Sequence, residues 1–205
     1  MTKALILGSN SFSGNHLVSF LIKKNFNVIG VSQSKINKNK YNPITDLKKN
    51  EKKKYIFYQC DINLELAKLK KIITKYRPPI IIDFLGQGMV AESWIYPQLT
   101  FKSNLISKVE LYEFLKGKSF LKKYIKISSP EAFGSATIKE GKFDKYNPST
   151  PYALSHSTIE IYLKMLKKHY NFPVIISRFV NFYGPFQKLY RVIPLAIHKA
   201  FKKEK

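Results

Sequence analysis

The stretch Leu5-Ile6-Leu7-Gly8-Ser9-Asn10-Ser11-Phe12-Ser13-Gly14 decides the fold. A short apolar run stops at a glycine, and a second glycine opens an amphipathic segment. In a strand–turn–helix, Gly8 makes the tight turn and Gly14 lets the helix pack closely on the sheet. The free amides at the helix start then face a diphosphate. A plain strand-to-helix turn would use the same two glycines, so the segments behind the turn must separate the two readings.

Those segments alternate short β-rich runs with longer amphipathic ones, the pattern of parallel βαβ units. Strands are expected at 3–7, 27–31, 54–58, 80–85, 123–128 and 174–178, and helices at 14–24, 64–76, 100–115 and 151–170. The fold class is therefore α/β, a Rossmann-type doubly wound parallel sheet with helices on both faces. Residues 34–53 are rich in Lys, Asn and Pro without an apolar stripe, and are expected to form an exposed loop. No internal repeat is evident. After the sixth strand comes one more apolar helical stripe that ends in charged residues. The expected division is a dinucleotide-binding domain over 1–185 and the start of a truncated substrate-binding lobe over 186–205, the rest of that lobe being absent.

The formal charge is +23, but every basic residue except Arg77, Arg178 and Arg191 is a lysine. Base-edge readers rely on the bidentate guanidinium, so this charge reads as solvated surface, and no specific nucleic-acid partner is expected. A single cysteine, Cys60, excludes an internal disulfide framework and a cysteine zinc cluster. No metal site is expected. No run is long enough to span a bilayer and no cleavable leader is evident, so a cytoplasmic protein without membrane association is expected.

At the end of the second strand an acidic residue would mark NAD by accepting the adenosine ribose hydroxyls. Here the chain reads Gly30-Val31-Ser32-Gln33-Ser34-Lys35, which admits NAD or NADP. Asp61, just beyond the third strand, is placed to serve as an N-cap for the next helix.

Three blocks narrow the class. They are Gly86-Gln87-Gly88-Met89-Val90-Ala91-Glu92-Ser93 with Pro97 and Asn104; Ser128-Ser129-Pro130-Glu131-Ala132-Phe133-Gly134; and Pro148-Ser149-Thr150-Pro151-Tyr152-Ala153-Leu154-Ser155-His156, followed by Arg178-Phe179-Val180-Asn181-Phe182-Tyr183-Gly184-Pro185. In this order and spacing the chain resembles the nucleotide-sugar dehydratases and epimerases of the extended short-chain dehydrogenase/reductase superfamily, over about nine-tenths of its length. The glycine turn is similar to their GxxGxxG, with Ser11 in place of the middle glycine.

The resemblance implies transient oxidation of a nucleotide-diphosphate sugar to a keto intermediate. It assigns Tyr152 as the base, Ser129 as the hydrogen-bond partner of the reacting oxygen and Glu131 as the acid/base of a 4,6-elimination. It places the cofactor against Gly8, Ser11, Phe12, Gly14, Ser32, Asp61, Ile62, Gln87 and Asn104, and the substrate against Asn181, Gln187 and Arg191. It also implies a homodimer formed through the helices carrying Asn104 and Tyr152. Two departures stand out. His156 occupies the position of the lysine that lowers the tyrosine pKa in this superfamily, and would have to substitute for it. Pro130 stands where glucose-type dehydratases often carry an aspartate. The alternative to an active enzyme is a catalytically impaired or split dinucleotide-binding fragment of one.

Overall fold

In the computed structural model, residues 2–36, 42–134, 145–180 and 182–203 are described. Six strands form one parallel sheet in the order β3-β2-β1-β4-β5-β6: β1 (Lys3–Leu7), β2 (Asn27–Ser32), β3 (Tyr55–Gln59), β4 (Ile80–Asp83), β5 (Lys123–Ser128) and β6 (Val174–Arg178). The order reverses between β1 and β4. Ligands of open α/β sheets enter at the carboxyl ends of the strands flanking such a switch. Here those ends carry Gly8 and the 84–87 turn, joined by the Phe84 N–H to Leu7 carbonyl bond of 2.9 Å.

Strand alternation builds two cores. On one face Leu5, Leu7, Ile29, Val31 and Ile81 pack against α3 (Leu66–Tyr76), α6 (Ser107–Leu115) and α7 (Pro151–Tyr170) through Leu69, Ile73, Leu111, Ile159 and Leu163. On the other, Ala4, Ile6, Val28 and Ile82 meet Val18, Leu21 and Ile22 of α1 (Phe12–Lys23). This is the expected doubly wound fold. Helix α7 starts because Thr150 caps it, accepting from the Ala153 N–H at 3.0 Å, with Pro151 in the first turn. It stops at Asn171 in the left-handed region.

Four expectations are corrected. The 34–53 loop is not wholly exposed: Ile44 and Leu47 plug the second core, and α2 (Lys49–Lys52) forms a single turn. Two apolar residues are too few for a periodic signal, yet they suffice to anchor a loop. The helix expected at 100–115 begins earlier, as α5 (Pro97–Phe101), passes through a π-helical turn (Lys102–Ile106) and continues as α6. A preceding helix, α4 (Val90–Ile95), was not foreseen. Asp61 does not cap α3, whose N-cap is Glu65; its Oδ1 instead accepts from the Asn63 N–H at 2.8 Å in a local turn. The last helix, α8 (Val192–Lys202), matches the terminal stripe, and none of its residues is buried.

Candidate active site

The phosphate turn is built as its glycines require. Gly8 has φ +78, and a Cβ on Gly14 would sit 2.2 Å from the Gly8 carbonyl oxygen. Ser11 caps α1 by accepting from the Gly14 N–H at 3.0 Å. Serine in place of the middle glycine thus serves the helix start. First-turn amides have no partner inside their own helix. Among the described residues, the Phe12 and Ser13 N–H groups are left open there, and Asn10 Oδ1 is buried without a hydrogen-bond partner. Open donors at a helix N-terminus, with no Cβ to fill the cradle, fit a diphosphate. Phe12 packs edge-on to His16, whose Nε2 donates to the Pro185 carbonyl at 3.0 Å, so the 182–190 segment closes against the turn.

Beside the turn, Asn104, expected against the cofactor, is tied into the protein by its side-chain amide. It is buried in the π-helical turn, and its amide is fully engaged: Oδ1 accepts from the Gln87 N–H at 2.7 Å, while Nδ2 donates to the Gln87 carbonyl and to Ser155 Oγ, both at 3.1 Å. It holds the Gly86–Gln87 turn, where Gly86 has φ +145 and a Cβ would meet Asn104 Oδ1 at 2.6 Å. The extra residue of the π turn aims Asn104 inward, a use such turns often have at functional sites. Gln87 is likewise spent locally, donating from Nε2 to the Met89 carbonyl at 2.9 Å and to Glu92 at 3.2 Å. Ser32 and Ile62 are buried, at the end of β2 and just beyond β3.

The chemistry-bearing side chains meet at the carboxyl end of β5. Tyr152 lies in the first turn of α7, where its otherwise unpartnered N–H donates to Ser93 Oγ at 3.2 Å. Ser129 is buried and caps a short 3-10 turn (Pro130–Phe133) whose exposed Glu131 points outward. Burial raises the Tyr152 pKa above 10 and the Glu131 carboxylate adds to this; hydrogen bonding to Ser129 and the Arg191 charge pull the other way without prevailing. The structure brings Ser129 within hydrogen-bonding reach of the Tyr152 phenol and Glu131 near enough for its charge to act on it.

His156 does not supply the missing charge. Its ring packs edge-on against Tyr152 at 4.5 Å between centroids, and its Nδ1 lies 3.1 Å from Ser128 Oγ. Burial, then the ammonium groups of Lys126 and Lys108, push its pKa down to about 3, against the pull of Asp83. The imidazole is neutral at physiological pH. Folding therefore excludes a proton that the unfolded chain binds below its ordinary pKa of about 6.5, so stability falls as pH drops from about 6.5 toward 3. We expect a loss of about 1.4 kcal/mol per pH unit from this one group. Urea melts of wild type and His156→Gln between pH 6.5 and 4.5 check it; parallel pH dependences in the two proteins would refute it.

Beneath this turn lies a buried polar layer that hydrophobic periodicity does not reveal. Asp83 on β4 accepts from Lys108 Nζ on α6, at 2.5 and 2.7 Å to its two oxygens, and from the Tyr124 hydroxyl at 2.7 Å. Lys126, opposite Asp83 in the β4–β5 register, is also buried, and Glu160 on α7 pairs with Arg178. Burial alone would raise the Asp83 pKa, but the two ammonium groups outweigh it and hold the carboxyl ionised. The available signal was an aspartate and lysines inside otherwise apolar runs, since such charges are almost never buried unless paired.

Of the expected substrate contacts, Arg191 sits at the N-cap position of α8 without a side-chain cap bond, and its guanidinium donates to Met89 Sδ at 3.7 Å. Gln187 donates to the Phe182 carbonyl at 2.8 Å. Asn181 lies outside the described residues. No cluster of metal-ligating side chains occurs among the described residues, and no helix among them is long and apolar enough to cross a membrane.

A doubly wound sheet with a glycine cradle at its switch point, and a tyrosine–serine pair on the adjoining helix and strand, defines a dinucleotide-dependent class. The chain belongs to the NAD dependent epimerase/dehydratase family, whose model matches residues 4–205. It is 25% identical to a dTDP-glucose 4,6-dehydratase of Haemophilus influenzae over 98% of this chain and 62% of that one. It is 29% identical to the dTDP-D-glucose 4,6-dehydratase of Dictyostelium discoideum over 99% of this chain and 49% of that one. The chain thus spans only about half to two-thirds of these relatives' lengths. Among solved structures, the UDP-glucose 4-epimerase of Thermotoga maritima has the same fold, with a TM-score of 0.81 at 24% identity, covering 100% of this chain and 64% of that one.

Proposed function

We propose that the protein is an NAD(P)-dependent nucleotide-sugar dehydratase or epimerase that oxidises its sugar transiently to a keto intermediate, serving cytoplasmic synthesis of polysaccharide precursors. The observation that carries this is the meeting of Tyr152, Ser129 and Glu131 beside the Gly8–Gly14 cradle. A bound nicotinamide would take hydride from the sugar carbon and return it. Tyr152 accepts the proton of the same carbon's hydroxyl, and Ser129 hydrogen-bonds that oxygen as it becomes a carbonyl. Glu131, at the open lip, removes the proton next to the ketone and hands it to the departing hydroxyl, which leaves as water. Gln187, Arg191 and Asn181 grip the diphosphate, and residues 186–205 begin the substrate lobe. His156 contributes position, not charge.

Exposed Leu99, Ile106, Leu154, Ile161 and Met165, on the α5–α6 and α7 segments, support a homodimer through these helices. A second reading, a dinucleotide-binding module without turnover, is favoured by the neutral His156. Incubation with dTDP-glucose and UDP-glucose, followed for keto-sugar and epimer formation, separates the two. Product supports the enzyme; bound cofactor with no product from either sugar supports the module.

A further inference from the structure

A lysine-rich composition alone would spread charge over the whole surface, but the fold gathers it at one end. In a parallel α/β sheet each crossover helix finishes where the next strand begins, so helix ends and strand starts share one face. Here those endings are cationic. The C-caps of α1, α2, α3 and α6 are Lys24, Lys53, Arg77 and Lys116, and the last turn of α7 holds Lys167 and Lys168. One cation per helix would satisfy the helix dipole. The connections add more: Lys54 leads into β3, Lys118 and Lys122 lie between α6 and β5, and Lys123 opens β5. Most of these side chains are exposed. The nearby carboxylates Glu51 and Glu113 are already engaged, by the Lys48 N–H at 2.8 Å and by Lys116.

The opposite end, with Gly8 and the Tyr152–Ser129 pair, has no such bias: Asp61, Glu92 and Glu131 are interspersed there with Lys35 and Arg191. The cationic end lies a strand's length away, about 17 Å for five residues, too far to serve the anionic ligand of that site. It suits an extended polyanion. Two observations choose its class. Among these cations only Arg77 carries the bidentate fork that reads base edges; the lysines act as point charges. The aromatic rings at this end are also covered: Lys24 Nζ lies 5.8 Å from the Phe20 centroid, the Arg77 guanidinium 5.6 Å from that of Phe120 and Lys116 Nζ 4.5 Å from that of Tyr170. Rings used in this way offer no bare platform for stacked bases. Lysines backed by rings suit the headgroup layer of a bilayer instead.

We propose that the end of the molecule where the strands begin is a peripheral membrane face, which docks electrostatically on the anionic phospholipids of a bilayer. Attachment of this kind needs no apolar span, and no helix among the described residues is long and apolar enough to provide one. With the lysines against the headgroups, the carboxyl ends of the strands point into solvent, and the site stays open to a soluble ligand. Each lysine near such a surface contributes about fivefold to partitioning, and the attraction decays within a Debye length, about 10 Å at about 0.1 M salt. The proposal goes beyond the activity proposed above and does not depend on it.

The test is co-sedimentation of the full chain with vesicles, one set of pure phosphatidylcholine and one of equal parts phosphatidylcholine and phosphatidylglycerol. The protein binds the mixed vesicles and not the neutral ones, and rising salt releases it. The combined variant Lys24→Gln, Lys118→Gln, Lys122→Gln and Lys168→Gln loses at least about a hundredfold in affinity. A control of equal net charge, Lys35→Gln, Lys102→Gln, Lys145→Gln and Lys188→Gln, stays within about threefold of wild type. Should the combined variant unfold, the pair Lys118→Gln and Lys122→Gln, both in an exposed connection, carries the same comparison with a loss of about tenfold or more. Failure of wild type to bind the mixed vesicles overturns the proposal. So does an equal loss in variant and control, which would reduce the effect to net charge. Displacement from the mixed vesicles by a stoichiometric single-stranded oligonucleotide would give this face to nucleic acid and overturn it as well.

Discussion

Tyr152→Phe is expected to reduce sugar oxidation by at least about a hundredfold, because general-base transfer contributes about 10²–10⁴ and phenylalanine keeps the packing without the proton acceptor. Dinucleotide binding should survive, since the ring against His156 is retained. The sign of the pH dependence follows from the raised phenol pKa. At pH 7 even an unperturbed tyrosine is ionised to about one part in a thousand, and here burial and Glu131 lower that fraction further. With His156 neutral there is no adjacent ammonium to reverse this, so turnover should climb by up to about tenfold per pH unit from pH 7 toward 9. A rate flat across that range would mean that the proton goes elsewhere.

The largest stability effect should come from the charged layer under the site. Lys108→Met removes the direct partner of a fully buried carboxylate, at a cost of about 3–5 kcal/mol. Asp83→Leu should cost more, because it leaves Lys108 and Lys126 facing each other with no anion at their centre. Chemical denaturation with both variants orders the two losses. If Asp83→Leu proved as stable as wild type, the lysines would have to be buried uncharged, and burial would be left as the cause of the neutral His156.

The sheet was legible because the strands are apolar runs bounded by glycine and polar turns, and period two is hard to mistake: Ala4 and Ile6 face one core while Leu5 and Leu7 face the other. The Tyr152–Ser129–Glu131 grouping was legible because each residue sits at an element boundary, where the chain order of a βαβ fold fixes the place. Hidden features were of two kinds. Single apolar anchors such as Ile44 make no periodic pattern. Side-chain engagement is three-dimensional: nothing in Asn104 or Gln87 announces that their amides are consumed by one another's loop, and nothing in His156 tells that two buried lysines surround it.

The central claim is that the amides of the Gly8–Gly14 turn hold a cofactor diphosphate. Equilibrium dialysis of the full chain against pyridine dinucleotide tests it most directly, comparing wild type with Gly14→Val, whose side chain would invade the space 2.2 Å from the Gly8 carbonyl. Saturation near one dinucleotide per wild-type chain, with none retained by a folded Gly14→Val, is the predicted result. Failure of wild type to bind, or equal retention by the variant, contradicts the account.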